Sequence, residues 1–280
     1  MNETVRNQSA IAPHPAGARI VLGRWDHNRV ALVFLIALAP ALGVSLVGRA
    51  AELLPVLALA LAVTLVWTFV FAHFRRRQPG WDWIVTASVF AILIPDTVPY
   101  WQQALALTFG VVMGEQIFGG RGRNFLNPVV VALAFLMFSF PGELLGHGDG
   151  TLAIAAGVGG LLLLLVRLVS WRVVAGVVFG AGAGLMIAGE GASWAHLLSG
   201  TLVFACIFLI ADPVAAASTS AGRWMYGLLA GMLVVVFGQS GGDPGSLRAI
   251  IFAALLAGIL APLIDQGVIW LNVRRRRRRG

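Results

Sequence analysis

This sequence contains one cysteine and no lysine. Cys206 is the only cysteine among the 280 residues. A disulfide within the chain is therefore excluded, and so is a thiolate cluster for zinc or an iron–sulfur centre. The five histidines are scattered and no two lie four residues apart, which excludes a bis-histidine haem site within one helix. We therefore predict no metal site.

Charged residues are also scarce. They make up 11% of the chain, against 59% hydrophobic residues, and the mean hydropathy is +0.87. This composition excludes a soluble globular domain and predicts an all-α polytopic membrane protein. The net charge of +8 comes from arginine, which cytoplasmic loops of membrane proteins collect, so the charge does not predict binding to nucleic acid.

The apolar residues fall into about ten segments, each a candidate transmembrane helix. These are residues 29–48, 53–73, 82–95, 101–118, 127–141, 151–166, 172–189, 195–211, 223–239 and 246–270. Several are shorter than the ~20 residues of a straight span, and the third would cover only about 21 Å of a ~30 Å hydrocarbon core. We expect no cleavable signal peptide, because the first segment begins near Val30, after a polar leader.

Arginine sets the expected orientation. With the N-terminus in the cytoplasm, 18 of the 20 arginines fall on the cytoplasmic side, and only Arg49 and Arg248 lie outside. The predicted organisation is a cytoplasmic leader (1–28), a first five-helix repeat (29–141), a second repeat (151–270) and a basic cytoplasmic tail (271–280).

Two stretches indicate that the second repeat is inverted. Residues 89–96 recur loosely as 203–213, and each copy precedes a helix, a glycine-rich turn and another helix. The copies lie five segments apart, so they run in opposite directions, as in transporters built from inverted repeats with interrupted helices.

Three carboxylates are candidates for an ion path. Asp96 and Asp212 close the two repeated stretches, and a carboxylate near membrane depth is costly and often functional. The alternative is that both only cap helix ends at the headgroups. Glu115 could pair with Arg121 or Arg123.

The stretch 119–128 combines glycines, two arginines and two asparagines between two apolar segments. Asn127-Pro128 predicts a helix start, and successive free N–H groups ahead of it could cradle a phosphate. The alternative is a tight turn held by its glycines. Our candidate cofactor-binding residues are Gly119, Gly120, Arg121, Gly122, Arg123, Asn124 and Asn127, with Thr219 and Arg223 in the matching loop of the second half. No catalytic residue is predicted.

The longest motifs resemble one family. They are residues 86–95, 109–114, 118–128, 211–216, 222–227 and 252–265. Over about residues 30–275 the chain is similar to the NqrB/RnfD family, whose members are membrane subunits of the sodium-pumping NADH:quinone reductase and of the Rnf complex. The resemblance implies ten helices in two inverted halves, a urea-transporter-like fold, the bacterial inner membrane, and a complex in which other membrane and peripheral subunits move electrons through flavins.

The chain departs from that family in two places. Most members carry FMN covalently on the threonine of a Ser-Gly-Ala-Thr type motif in the outer loop between the fifth and sixth helices. Here that loop is only 142–150, and Thr151 lacks the rest of the motif, so no covalent FMN is expected. Glu115-Gln116 replaces the Lys-Glu of relatives, so no cation role is carried over to this position.

The leading hypothesis is a membrane subunit that moves electrons through non-covalent FMN or riboflavin, or a quinone, with ion translocation as a coupled process. A channel or transporter for a small solute or cation is the first alternative. A scaffold subunit without redox chemistry is the second.

We expect the C-terminus to lie in the cytoplasm, because the arginine distribution favours it. Alkaline phosphatase needs disulfides that form in the periplasm, so a fusion after Gly280 should be inactive. An active fusion would contradict the predicted orientation.

Overall fold

The computed structural model describes residues 27–76, 78–140, 150–189, 199–241 and 245–277. Within these ranges the regular structure is helical and contains no strand, which confirms the predicted all-α class. Most of the predicted leader, the outer loop that lacks the flavin motif, and the last three residues lie outside the described residues.

The helices of the described ranges follow the apolar segments closely. They are α1 (His27–Arg75), α2 (Asp82–Leu93), α3 (Tyr100–Val111), α4 (Pro128–Ser139), α5 (Gly150–Leu165), α6 (Trp171–Ala188), α7 (Gly200–Ala205), α8 (Ser220–Gly241) and α9 (Leu247–Arg277). Two π-helical turns continue α3 and α7: π1 (Val112–Gln116) and π2 (Cys206–Ile210).

A break at Arg49 divides α1 into two arms. The 49 residues of α1 would make a straight helix of about 74 Å, more than twice the ~30 Å hydrocarbon core. At Arg49 the backbone leaves the helical region, with φ −149° and ψ 48°. The two arms correspond to the first and second predicted segments, so helical structure is found at each of the ten segments within the described ranges.

Within the described ranges, length and composition alone identify four helices that could cross a membrane. They are Asn28–Arg75, Trp171–Ala188, Ser220–Gln239 and Leu247–Arg274. The predicted number of ten crossings and the inversion of the second half stay predictions.

Three short helices form the centre of the molecule. Nine of the twelve residues of α2 are buried, as are nine of the twelve of α4 and all five residues of π2. Helices too short for a full span keep their ends out of lipid only when other helices surround them. The long helices do so: α1 packs on α2, α3 and α5, while α9 packs on α4, α7 and α8.

A close helix crossing joins α6 to α8 through small residues. Gly176 lies opposite Gly227, and the position of a Cβ on Gly180 is 2.2 Å from the Leu228 carbonyl oxygen. A Cβ on Gly231 would lie 2.1 Å from the Val177 carbonyl oxygen. Small residues four apart on both helices allow their backbones to touch, as in GxxxG pairs of membrane helices.

Replacement of Gly180 by alanine should destabilise the protein by about 1–3 kcal/mol, because the added methyl forces α6 and α8 apart. Thermal unfolding in detergent measures the effect. Gly157→Ala in α5 is the control, since its methyl meets no atom within 4 Å. Equal stability of the two variants would contradict the close crossing.

Candidate functional site

The glycine-rich loop meets three other chain segments. The loop joins π1 to α4, and it lies against the end of α1, the start of α2 and the segment after π2. Arg75, at the end of α1, donates from Nη1 to the Gln116 side-chain oxygen at 3.2 Å and from Nη2 to the Gln116 carbonyl. The end of α1 therefore holds the start of the loop.

Asp212 is the buried centre of this region. Its side chain has no solvent exposure, and its two oxygens accept three hydrogen bonds. Oδ2 accepts from Asn127 Nδ2 at 2.7 Å and from Arg121 Nη2 at 3.0 Å, while Oδ1 accepts from the Val214 N–H at 3.0 Å. Both donors of Oδ2 come from the first predicted half, so this carboxylate joins the two halves.

The Asn127 side chain makes two structural contacts. Its Oδ1 accepts from the Val129 N–H at 2.9 Å, and Pro128 occupies the first helical position, which confirms the predicted start of α4. Its Nδ2 binds Asp212. The side chain that caps α4 therefore also fixes α4 to the end of π2.

Arg121 is charged in spite of its burial. Burial disfavours the guanidinium, but the carboxylates of Asp212, Glu115 and Asp82 outweigh this effect, so the pKa of Arg121 lies above its ordinary value. Glu115, which the sequence predicts as a partner of Arg121 or Arg123, acts on the pKa of Arg121 through its charge. The Glu115 carboxylate also accepts from Gln116 Nε2 at 3.1 Å.

The glycines adopt the backbone conformation that the sequence predicts. Gly119, Gly120 and Gly122 have φ of +112°, +92° and +89°, a region that disfavours a Cβ. The loop is therefore a tight turn. It directs the Arg121 side chain into the protein, where it is 11% exposed, and leaves Arg123 exposed.

The predicted cradle of free N–H groups is wrong for four of the loop residues. The N–H groups of Gly119, Gly120 and Arg123 donate to the carbonyls of Gln116, Glu115 and Gly120. The Gly122 N–H donates to Asn124 Oδ1 at 3.1 Å, and Asn124 Nδ2 donates to the Leu126 carbonyl at 2.6 Å. These groups close the turn on itself, so side chains rather than these N–H groups would hold a ligand.

Two cavities adjoin Arg121. The smaller, of about 150 Å³, is polar and includes Arg75, Asp82 and Glu115. The larger, of about 210 Å³, is mainly apolar and is lined by Val30, Ala31, Phe34, Asp82, Val85, Arg121, Gly122, Leu168, Pro213 and Val214. Arg121 and Asp82 line both cavities.

Thr219 and Arg223 do not join this cluster. Thr219 donates from Oγ1 and from its N–H to Asp265 Oδ1, at 2.6 and 3.0 Å. Ser218 binds Asp265 Oδ2 in the same two ways. Asp265 of α9 thus holds the start of α8, while Arg223 lines a separate cavity of about 60 Å³.

Asp96 belongs to a different cluster. Arg49 Nη1 donates to Asp96 Oδ1 at 2.9 Å, and Arg49 Nη2 donates to the Ile92 carbonyl at 2.5 Å. The arginine at the break of α1 therefore caps the end of α2 and pairs with the carboxylate beyond it. Asp96 and Asp212 occupy matching places in the two repeats. Each forms an ion pair with an arginine, but the two pairs lie at separate sites.

Sequence reasoning missed Arg75 and Asp82 as residues of the site. In the sequence Arg75 is one of three consecutive arginines, and nothing local predicts that it turns inward. Asp82 reads as an acidic residue in the first turn of a helix, where the helix dipole favours it. A charged residue close to an apolar segment is the signal that could have selected Asp82.

The described helices define a polytopic helical membrane protein whose predicted halves meet through a buried ion pair. The model of the NQR2, RnfD, RnfE family matches the sequence twice, over residues 20–151 and 142–273. The chain belongs to this family, which confirms the resemblance seen in the motifs.

Similar proteins are the NqrB subunits of Na(+)-translocating NADH-quinone reductases. The protein of Pseudomonas aeruginosa is 35% identical over 286 aligned positions, which cover 82% of this chain and 70% of the relative. That of Yersinia pestis is 31% identical over 326 positions, covering 94% and 77%. This second alignment is longer than the 280-residue chain, so the Yersinia protein has segments without a counterpart here.

Replacement of Asp212 by asparagine should cost about 3–5 kcal/mol of stability, because it leaves the Arg121 guanidinium buried without its counterion. Unfolding in detergent measures this loss. Asp96→Asn is the matched control: Arg49 is as little exposed as Arg121, at 12% against 11%, but Asp96 is 24% exposed whereas Asp212 has no exposure. Water therefore reaches the exchanged side chain only at position 96, and the loss there should be smaller. Equal losses would contradict the central place of Asp212.

Proposed function

We propose that this chain is a membrane subunit of an electron-transport complex that couples NADH:quinone oxidoreduction to ion translocation. The relatives that match most of its length are subunits of a sodium-translocating NADH-quinone reductase. The partners would be other membrane and peripheral subunits of such a complex. Both termini would face the cytoplasm of a bacterial cell, with two inverted five-helix halves in the inner membrane.

The ligand that the loop region fits best is a quinone head group. Pockets that enclose a ligand as large as FMN or riboflavin measure about 300–1,000 Å³. The cavities beside Arg121 measure about 150 and 210 Å³, so neither encloses a whole flavin. A single ring with carbonyl oxygens is smaller. The chain's departure from the covalent-flavin motif stays an expectation from the sequence alone.

The larger cavity has the chemistry that a quinone needs. Its walls include Val30, Phe34, Val85 and Leu168, which suit an apolar ring and exclude water. Arg121 is the donor on this wall, and a guanidinium has five N–H groups, of which Asp212 engages one through Nη2. A bound quinone would accept electrons, while this chain supplies position and charge.

This lining is the observation that carries the proposal: an apolar cavity with a buried, charged donor at its edge, bordered by Gly122 of the glycine-rich loop. It also favours Arg121 over the other candidate cofactor-binding residues. Arg121 lines the cavity, whereas Arg123 is exposed and Asn124 and Asn127 are engaged in bonds within the protein. Thr219 and Arg223 are not among its lining residues.

The three candidate ion-path carboxylates differ in how firmly they are held. Asp212 accepts three hydrogen bonds and Asp96 pairs with Arg49, so a cation would have to displace existing partners at both. Glu115 accepts from the neutral amide of Gln116 and borders the polar cavity of about 150 Å³, which Asp82, Arg75 and Arg121 also line. A cation would therefore have to displace partners at all three carboxylates, and none of the three is favoured over the others.

Replacement of Val30 by phenylalanine should lower the quinone kcat/KM of the assembled complex by about tenfold or more, because the added ring fills the apolar cavity. Steady-state quinone reduction measures this, with NADH-driven reduction of the complex's own cofactors as the readout for upstream steps. Leu32→Phe is the control, since Leu32 is 46% exposed and does not line the cavity. Unchanged quinone kinetics in a folded Val30→Phe complex would move the quinone site elsewhere.

A further inference from the structure

One buried hydroxyl in the centre of the molecule lacks a hydrogen-bond partner among the described residues. Thr86 of α2 is 3% exposed, and its Oγ1 makes no hydrogen bond to any described residue. An unpaired hydroxyl in an apolar interior costs free energy, so buried polar groups are normally satisfied by protein or by ordered water. The Thr86 hydroxyl thus requires a partner that the surrounding side chains do not supply.

A small cavity adjoins this hydroxyl. It measures about 10 Å³, and its lining residues come from both predicted halves: Phe34, Val85, Thr86, Val89, Arg121, Asn127, Val129 and Phe208. A space of about 10–15 Å³ holds one water molecule when polar groups border it. Here Thr86, Arg121 and Asn127 are the polar members of the lining.

The bordering groups select water over an ion. Arg121 carries a positive charge and can only donate hydrogen bonds, so a metal cation is repelled. Asn127 Nδ2 is already engaged by Asp212, and the space is too small for a polyatomic anion. A water molecule can accept from the guanidinium and also exchange a hydrogen bond with the Thr86 hydroxyl, which donates and accepts.

Arg121 lines this small cavity and both larger cavities, of about 150 and 210 Å³. Asp212 holds its side chain at 3.0 Å. We propose that the cavity between Thr86, Arg121 and Asn127 is a water-binding site, and that the Arg121–Asp212 ion pair closes it from the two neighbouring cavities. This inference does not depend on the proposed redox function.

The sign of a stability change tests the water site. Thr86→Val keeps the shape of the side chain and removes the hydroxyl. If the hydroxyl is unpaired, its removal stabilises the protein. If the hydroxyl holds a water molecule, valine removes one hydrogen-bond partner of that water, and the thermal unfolding temperature falls. We expect the fall, with Thr86→Ser closer to the wild type because it keeps the hydroxyl. A Thr86→Val protein as stable as the wild type, or more stable, would overturn the water site.

Thiol labelling tests the closure. Cys206 is the only cysteine, so Cys206→Ala gives a background in which Thr86→Cys carries a single thiol. We expect slow modification by a small water-soluble methanethiosulfonate while Arg121 is present. Modification should be about tenfold faster or more with Arg121→Ala, because labelling follows the population of open molecules.

Thr64→Cys is the matched control for labelling. Thr64 is 1% exposed and lines none of the three cavities, so its rate should not depend on Arg121. Equal acceleration at both positions, or none at Thr86→Cys, would overturn the closure. If Arg121→Ala does not fold, Arg121→Lys tests the same point, since a shorter and non-planar donor weakens the seal.

Discussion

The buried ion pair between Arg121 and Asp212 is the interaction on which the rest of this structure depends. A fully buried carboxylate is stable only when its charge is paired and its oxygens are hydrogen-bonded. Asp212 meets both conditions, because it receives a guanidinium, an amide and a backbone N–H. Two of these donors lie 91 and 85 residues earlier in the chain, so the pair requires the first half to be folded against the second.

The glycine-rich loop follows from this requirement. A guanidinium reaches the protein interior from a surface loop only if the loop turns sharply before and after it. Glycines with positive φ at positions 119, 120 and 122 provide those turns on both sides of Arg121. The internal hydrogen bonds of Gly119, Gly120 and Gly122 then fix the turn. The loop therefore serves mainly to place one side chain in the walls of both cavities, and a ligand in either cavity would meet that side chain.

Local features of the fold were predictable from the sequence. Apolar length located the helical segments, and Asn127-Pro128 identified the start of α4, because capping depends on neighbouring residues. The break of α1 at Arg49 was anticipated as a boundary between segments, although not as the arginine that caps α2. Its partners lie more than 40 residues away, where sequence spacing gives no information on contact.

The site was predicted only in part for the same reason. Composition drew attention to the loop, but not to which arginine turns inward, since Arg121 and Arg123 are equivalent in a linear reading. The expected free N–H groups were wrong at four positions, because the turn uses them itself. The repeat predicted that Thr219 and Arg223 belong to the matching loop of the second half, yet Asp265 from α9 engages Thr219 at a separate place.

The coupling free energy between Arg121 and Asp212 is the most direct measure of this account. It follows from the unfolding free energies in detergent of four proteins: the wild type, Arg121→Gln, Asp212→Asn and the double variant. Each single variant leaves one member of the pair charged without the other, whereas the double variant removes both charges of the pair. We predict that the double variant is more stable than the sum of the single losses implies, by about 2 kcal/mol or more. Additive losses would show that the two side chains act independently, and would contradict a fold that depends on their pairing.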